Sequence, residues 1–364
     1  MVETPRLVID GVKMRNNIEG MAGLARERGV KLRPHVKTHK MPRIASEQLE
    51  AGAAGITVAK VSEAEVMADG GIKDIFIAYP LVTESKIRRA LRLNRMVNLI
   101  LAVDSAEGAR RLSEAAASEG ATLNVRLEVD TGLRRTGVPA DEAVELAATI
   151  ESSDNLDLTG IYTYRGYVLA DGSPTLDLER AGTEEGNLMV SLADEIRESG
   201  VEIKDVSLGS TPTAAYAGAV DGVTEIRPGT YVFYDRMQAR LGDCTLEDCA
   251  ASVVVTVVSR PREDLAILDG GSKTFATDVP ANTEPLNLRG YGHVVGYPDA
   301  VLERLTEEHG MLRIRSEDDL NVGDEVRVIP NHVCSTVNLH NEVVFDDGAG
   351  GVGRLKVAAR GKLE

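Results

Sequence analysis

The chain has 364 residues, long enough to bury a large core and to favour two domains or one large barrel with an appendage. Hydrophobic residues make up 43% and charged residues 27%, the balance of an ordinary globular enzyme; Trp is absent, and a net charge of −16 opposes binding to nucleic acid or to an anionic membrane. The three cysteines are too few and too irregular for a disulfide framework, the opening MVETPRLVID lacks the basic and apolar regions of a signal peptide, and no run approaches about 18 apolar residues, so a reduced cytoplasmic protein is expected.

TPRLVID reads as an opening strand that fits either of two units. From about residue 30 to 235, short β-rich runs then alternate with helical patterns. The candidate strands are VKLRPHVK (30–37), GITVAK (55–60), DIFIAYP (74–80) and NLILAVDS (98–105), followed by NVRLEVDTG (124–132), LTGIYTYRG (158–166), IKDVSLGS (203–210) and TEIRPGTYVF (224–233). Segments such as MPRIASEQLEAG and SAEGARRLSEAAASEG lie between them as helices that close near a glycine. Eight such units, with no GxGxxG loop, predict a closed (β/α)₈ barrel of the TIM type rather than an open doubly wound sheet. After residue 240 the runs SVVVTVVSR, DLAILDGG, GMLRIRS, DEVRVIPNH and NEVVFDD predict an antiparallel β domain. The expected division is a barrel at 10–238 and a C-terminal β domain at 239–364, with the strand at 1–9 assigned to either.

In such a barrel the site forms at the C-terminal ends of the strands. The first run ends with His35, Lys37, His39 and Lys40 close in sequence. Crowded like charges depress a lysine pKa and leave an amine able to attack an aldehyde; a solvated basic loop is the equal alternative. The fifth run ends in DTGLRRTG, where a glycine bend aims an arginine at an anion. The seventh and eighth runs end in Gly209-Ser210-Thr211-Pro212-Thr213 and Arg227-Pro228-Gly229-Thr230, whose hydroxyls and backbone N–H groups suit a phosphate at the barrel's usual position. A phosphate site with a crowded lysine points to pyridoxal 5′-phosphate (PLP). Downstream, His332 and Cys334 stand two apart in a predicted strand, on one face and within reach of one divalent ion. Cys244 and Cys249 read as structural, and His309 in EEHG is the one further histidine with the setting of a site residue.

Together these motifs resemble the D-threonine aldolase and D-serine dehydratase group of the alanine-racemase-like PLP enzymes. The resemblance runs through TPRLVID, LRPHVKTHK, VSEAEVMADGGIKDIFIAYPLV, EVDTGLRRTGV, GSTPT, IRPGTYVFYD, EEHG and PNHVCSTVNLH. It implies that Lys37 forms the Schiff base with PLP, that Arg135 approaches the phenolic oxygen, and that Ser210, Thr211, Gly229 and Thr230 hold the phosphate. It places Tyr164 beside cofactor and substrate, and His332 and Cys334 on a divalent metal, zinc or manganese. It also implies a homodimer and a D-amino acid substrate, with no nucleic-acid or membrane partner. Subtype rests on three details. The stretch Tyr164-Arg165-Gly166-Tyr167-Val168-Leu169-Ala170-Asp171 lacks the histidine common in the aldolases, and Cys334 resembles the zinc-binding dehydratases; Thr336-Val337-Asn338-Leu339 resembles the aldolases. The balance expected from sequence is D-threonine aldolase, with D-serine or D-threonine dehydratase as the alternative, and an amino-acid racemase or a non-catalytic PLP-binding protein behind both.

Overall fold

The computed structural model describes residues 3–166, 169–170 and 172–364, and it divides into two compact units. One comprises Gly20–Lys37, Met41–Gly229 and Lys362–Glu364; the other comprises Met1–Glu19, Thr38–Lys40 and Thr230–Gly361.

In the first unit the eight predicted runs form eight parallel strands. In chain order they are Lys31–Leu32, Ile56–Val58, Asp74–Pro80, Asn98–Val103, Leu123–Asp130, Leu156–Tyr162, Asp205–Leu208 and Glu225–Ile226. Neighbours in sequence are neighbours in the sheet, the first strand also pairs with the eighth, and a parallel bridge from His35 to Thr57 joins the first to the second. Backbone bonds from Ala54 N to Leu32 O and from Thr57 N to Pro34 O, both 2.8 Å, complete that seam. A parallel sheet buries both faces, which explains the near-continuous apolar runs and the helices between them. Those helices start where the sequence signals: Ser105 accepts from Gly108 N at 3.2 Å, and Asp177 accepts from Arg180 N at 3.0 Å.

The first and eighth strands shrink furthest from the sequence runs, to two residues each, for one reason. Pro34 and Pro228 carry no N–H and cannot donate to a ladder, so each strand stops short of its proline. The chain continues as irregular backbone and then as single 3₁₀ turns, Val36–Thr38 and Thr230–Val232.

The barrel interior holds a layer of buried charge. Arg126 is fully buried and donates to Glu225 Oε1 at 2.5 Å and to Asp205 Oδ2 at 2.8 Å. Arg33 donates to the other Glu225 oxygen at 2.8 Å and pairs with Asp74. Ser207 donates to Glu225 at 2.6 Å and accepts from Arg227 at 2.5 Å; Arg227 also donates to the Thr163 carbonyl. Burial alone would raise the Glu225 carboxyl, but Arg126 and Arg33 outweigh it and hold that group well below the usual carboxylate range.

The second unit is a mostly antiparallel sheet organised on the long strand Ala251–Arg262. The opening strand Arg6–Asp10 pairs antiparallel with it and parallel with Glu342–Asp346, so the N-terminal strand sits in this sheet. Leu265–Leu268, Gly310–Arg313 and Glu325–Pro330 appear where runs were read, and Gly292–Val294, Val301–Leu305 and Val352–Lys356 are additional. Those three are short and flanked by glycines and turns, and Val301–Leu305 and Val352–Lys356 are largely solvated, so they lack an apolar period to read. Among the described residues no helix is long and apolar enough to cross a membrane.

Removing one partner of a buried ion cluster leaves uncompensated charge. Glu225→Ala is expected to lower unfolding stability by about 3–5 kcal/mol, read as a shift of the urea midpoint with an unchanged slope.

Candidate active site

Three of the sequence-predicted residues meet at the mouth of the barrel. Lys37 Nζ lies 5.1 Å from the centroid of the Tyr164 ring, and Arg135 Cζ lies 5.2 Å from the same ring. Local chemistry presents the arginine: Asp130 accepts from Gly132 N at 2.9 Å and from Arg134 N at 3.0 Å, turning the loop after the fifth strand. Gly137, at φ +103°, closes that loop, where a Cβ would meet Asp130 N at 2.6 Å.

The expected crowding of two lysines and two histidines does not form. Lys40 directs its Nζ toward the Ala359 carbonyl at 3.4 Å, and His39 is buried edge-on against Phe233. The group that feels the local charge is His35. Burial first, then Lys37, Arg227 and Arg135, push its imidazole well below its ordinary range, and Nδ1 accepts from Lys37 N at 3.4 Å. A neutral imidazole thus lies beside the backbone of Lys37.

The seventh and eighth strand ends also come together. Ser210 caps the turn Thr211–Thr213, with Ser210 N donating to Thr213 Oγ1 at 3.1 Å. Gly229 N donates to Thr211 Oγ1 at 3.2 Å, linking the two loops. An amine and a guanidinium over one aromatic ring, with hydroxyl and peptide donors on adjacent strand ends, form a donor set that fits an aldehyde carrying a phosphate.

Glu185 lies beneath these loops and had no signal in the sequence. It is 3% exposed, on the helix Leu178–Glu198, and its carboxylate accepts from the backbone of Arg165 and of Gly209. It therefore ties the segment after Tyr164 to the loop before Ser210. Burial pushes its pKa up to about 7, with Arg165 and Arg227 opposing.

In the second unit, His332 and Cys334 do stand together, but not on a strand. The strand ends at Pro330, and His332 precedes the helix Val333–Leu339, which contains Cys334. The alternation argument therefore fails at this point, and the first turn of a helix brings the pair together instead. Each perturbs the other. Burial favours a neutral His332, but Cys334 and the hydrogen bond to Asp278 outweigh it and raise its pKa well above normal; burial opposes a Cys334 thiolate, but His332 outweighs that and lowers the thiol. Thr38 Oγ1 is 3.1 Å and Thr230 Oγ1 is 3.7 Å from Cys334 Sγ, so Thr230 sits beside this pair. Asp278, which carries no sequence signal, has its Oδ2 2.7 Å from His332 Nδ1. Among the described residues no three His, Cys, Asp or Glu side chains converge as a metal cage. Imidazole with thiol is nonetheless a soft pair that fits a divalent cation with open positions. His309 is exposed at a turn, and Tyr167, Val168 and Asp171 of the subtype stretch lie outside the described residues. The Cys244 thiol touches Cys249 and is pushed far up by that contact and by burial, which suits a structural pair.

A (β/α)₈ barrel with a lysine at its mouth, followed by a β domain bearing His-x-Cys, defines a class, the alanine-racemase-like PLP enzymes. Residues 9–237 match the alanine racemase N-terminal domain family and residues 250–345 the putative serine dehydratase domain. D-threo-3-hydroxyaspartate dehydratase of Delftia sp. (strain HT23) is 35% identical over 356 residues, spanning 92% of each chain. The crystal structure of D-threonine aldolase from Filomicrobium marinum superposes with a TM-score of 0.88 at 32% identity, covering 100% of this chain and 96% of that one. A cysteine-to-alanine variant of D-threo-3-hydroxyaspartate dehydratase in its metal-free form superposes with a TM-score of 0.90 at 33% identity, covering 98% and 97%. The chain belongs to the D-threonine aldolase and D-serine dehydratase group of this family, and it is a PLP-dependent lyase.

The Glu185 carboxyl has a raised folded pKa, so the folded state binds the extra proton between the unfolded value near 4.5 and about 7. Stability should therefore fall as pH rises through that window, by on the order of 3 kcal/mol at about 1.4 kcal/mol per pKa unit. Glu185→Gln should flatten this slope and be the more stable protein at pH 8, as measured by urea unfolding across the window.

Proposed function

We propose that this lyase acts on D-configured β-hydroxy amino acids, using PLP together with one divalent cation held by His332 and Cys334, and that dehydration is its main outcome. PLP, when bound, supplies an electron sink for charge developing at Cα, and the cation supplies a Lewis acid for the β-hydroxyl.

The chain's own residues divide the remaining work. Lys37 anchors the cofactor and takes the α-proton, its amine held over Tyr164 with the neutral His35 beside its backbone. Tyr164 would wall the site, and Arg135, which lies over the same ring, would meet the cofactor's phenolic oxygen. Ser210, Thr211, Gly229 and Thr230 hold the phosphate. The observation that carries dehydration is this placement of Lys37, an amine suited to α-proton removal, in a chain whose 164–171 stretch has no histidine for the β-hydroxyl proton. The cysteine in His332-x-Cys334 supports the same outcome, since a related dehydratase has been solved as a cysteine-to-alanine variant in a metal-free form. Retro-aldol cleavage is the second reading, favoured by Thr336-Val337-Asn338-Leu339 and by relatives that are D-threonine aldolases. Zinc suits the imidazole–thiolate pair better than manganese. The protein works as a cytoplasmic homodimer.

The test is incubation of the holoenzyme with D-threonine and D-serine, with and without chelator, followed by product analysis. A 2-oxo acid with ammonia is the expected product, whereas glycine with an aldehyde would establish the aldolase. L-enantiomers should be inert. Chelation should remove activity and leave the visible band of bound PLP. Lys37→Ala should lose that band and about 10²–10⁴-fold in rate; retention of a borohydride-reducible band would move the anchor to another lysine.

A further inference from the structure

We propose that Asp278 is a positioning residue that fixes the ring of His332 for the cation, an inference that rests on the metal reading above. The backbone and the ring of His332 are held by separate groups. Asp235, fully buried, accepts from Val333 N at 2.9 Å, and Thr336 donates its hydroxyl to the His332 carbonyl at 2.8 Å. These contacts fix where the residue sits and leave the rotation of its ring undetermined. Two side chains hydrogen-bond the ring, Cys334 and Asp278, and Asp278 does so at Nδ1, its Oδ2 2.7 Å away.

A carboxylate at that distance accepts the Nδ1 proton, which leaves Nε2 as the ring nitrogen whose lone pair a cation can meet. The carboxylate is itself held, because Ser335 donates its hydroxyl to the same Oδ2 at 2.7 Å from one turn further along the helix. Ser335, Asp278 and His332 thus form a closed triangle, with Ser335 Oγ also 3.5 Å from Nδ1.

The competing account is a surface ion pair that merely decorates the start of a helix. Asp278 is 45% exposed, and an exposed pair contributes little to stability. The two accounts separate on metal affinity rather than on folding. Carboxylates that orient metal-bound imidazoles raise affinity by about 10–100-fold, whereas a decorative pair leaves it unchanged.

The experiment measures zinc affinity of the PLP-loaded protein by competition with a chromophoric chelator, alongside melting in excess chelator. Asp278→Ala is expected to weaken zinc by about 10–100-fold while the metal-free melting temperature stays that of the parent. Asp278→Asn, which keeps an acceptor and loses the charge, should fall between, and Ser335→Ala should lose less than Asp278→Ala. His332→Ala is the control and should not bind zinc. Parental zinc affinity in both Asp278→Ala and Asp278→Asn, with binding lost in His332→Ala, overturns the role of Asp278 and leaves the metal reading standing. Parental zinc affinity in His332→Ala overturns the metal reading and this inference with it.

Discussion

Glu225 holds the barrel's site-bearing strands in register with one another. Its carboxylate receives Arg33 from the chain just after the first strand, Arg126 from the fifth and Ser207 from the seventh, and it lies on the eighth itself. Ser207 passes the network to Arg227, which reaches the carbonyl of Thr163 after the sixth strand. Lys37, Arg135, Tyr164, Ser210 and Gly229 follow the first, fifth, sixth, seventh and eighth strands. Every strand that ends in a predicted barrel residue is therefore anchored to one buried acid. Apolar packing alone tolerates small slips between strands, whereas a carboxylate satisfied by two guanidiniums and a hydroxyl does not. The arrangement also explains why a fold with an otherwise apolar wall places charge at its centre: desolvation is costly, and it is offset only while all the partners stay in place.

Much of this was legible in the sequence, and the failures have physical causes. All eight barrel strands showed as apolar runs because a parallel sheet buried on both faces needs them. Their lengths were overestimated where Pro34 and Pro228 end the ladder. His332 and Cys334 lie together, but at a helix start rather than on one face of a strand, where the two-residue spacing predicts them. The crowded lysines misled because sequence proximity ignores the direction of the backbone. Lys40, at φ +58°, turns away to the Ala359 carbonyl. Asp278 and Glu185 were invisible because their significance lies in contacts 54 residues away for Asp278 and with two separate loops for Glu185.

Glu185 and Glu225 show how one fold keeps two buried acids in opposite states. Glu225 meets two arginines directly and stays ionised. Glu185 feels Arg165 and Arg227 electrostatically, but its hydrogen bonds come from peptide N–H groups, and desolvation prevails. Arg227 stands between them, donating to the Ser207 hydroxyl and the Thr163 carbonyl rather than to either acid. Burial and then Lys37 do most to lower the His35 pKa, and Arg227 adds to them.

The chain itself links the two candidate centres. Lys37 and Thr38 are consecutive, and the Thr38 hydroxyl lies 3.1 Å from the Cys334 sulfur. One peptide bond therefore connects the proposed cofactor anchor to a residue touching the proposed metal thiolate. A hydroxyl donating to that sulfur lowers its electron density, a means by which neighbouring groups tune a coordinating thiolate. Substitution at Thr38 would act on Cys334 through that hydrogen bond.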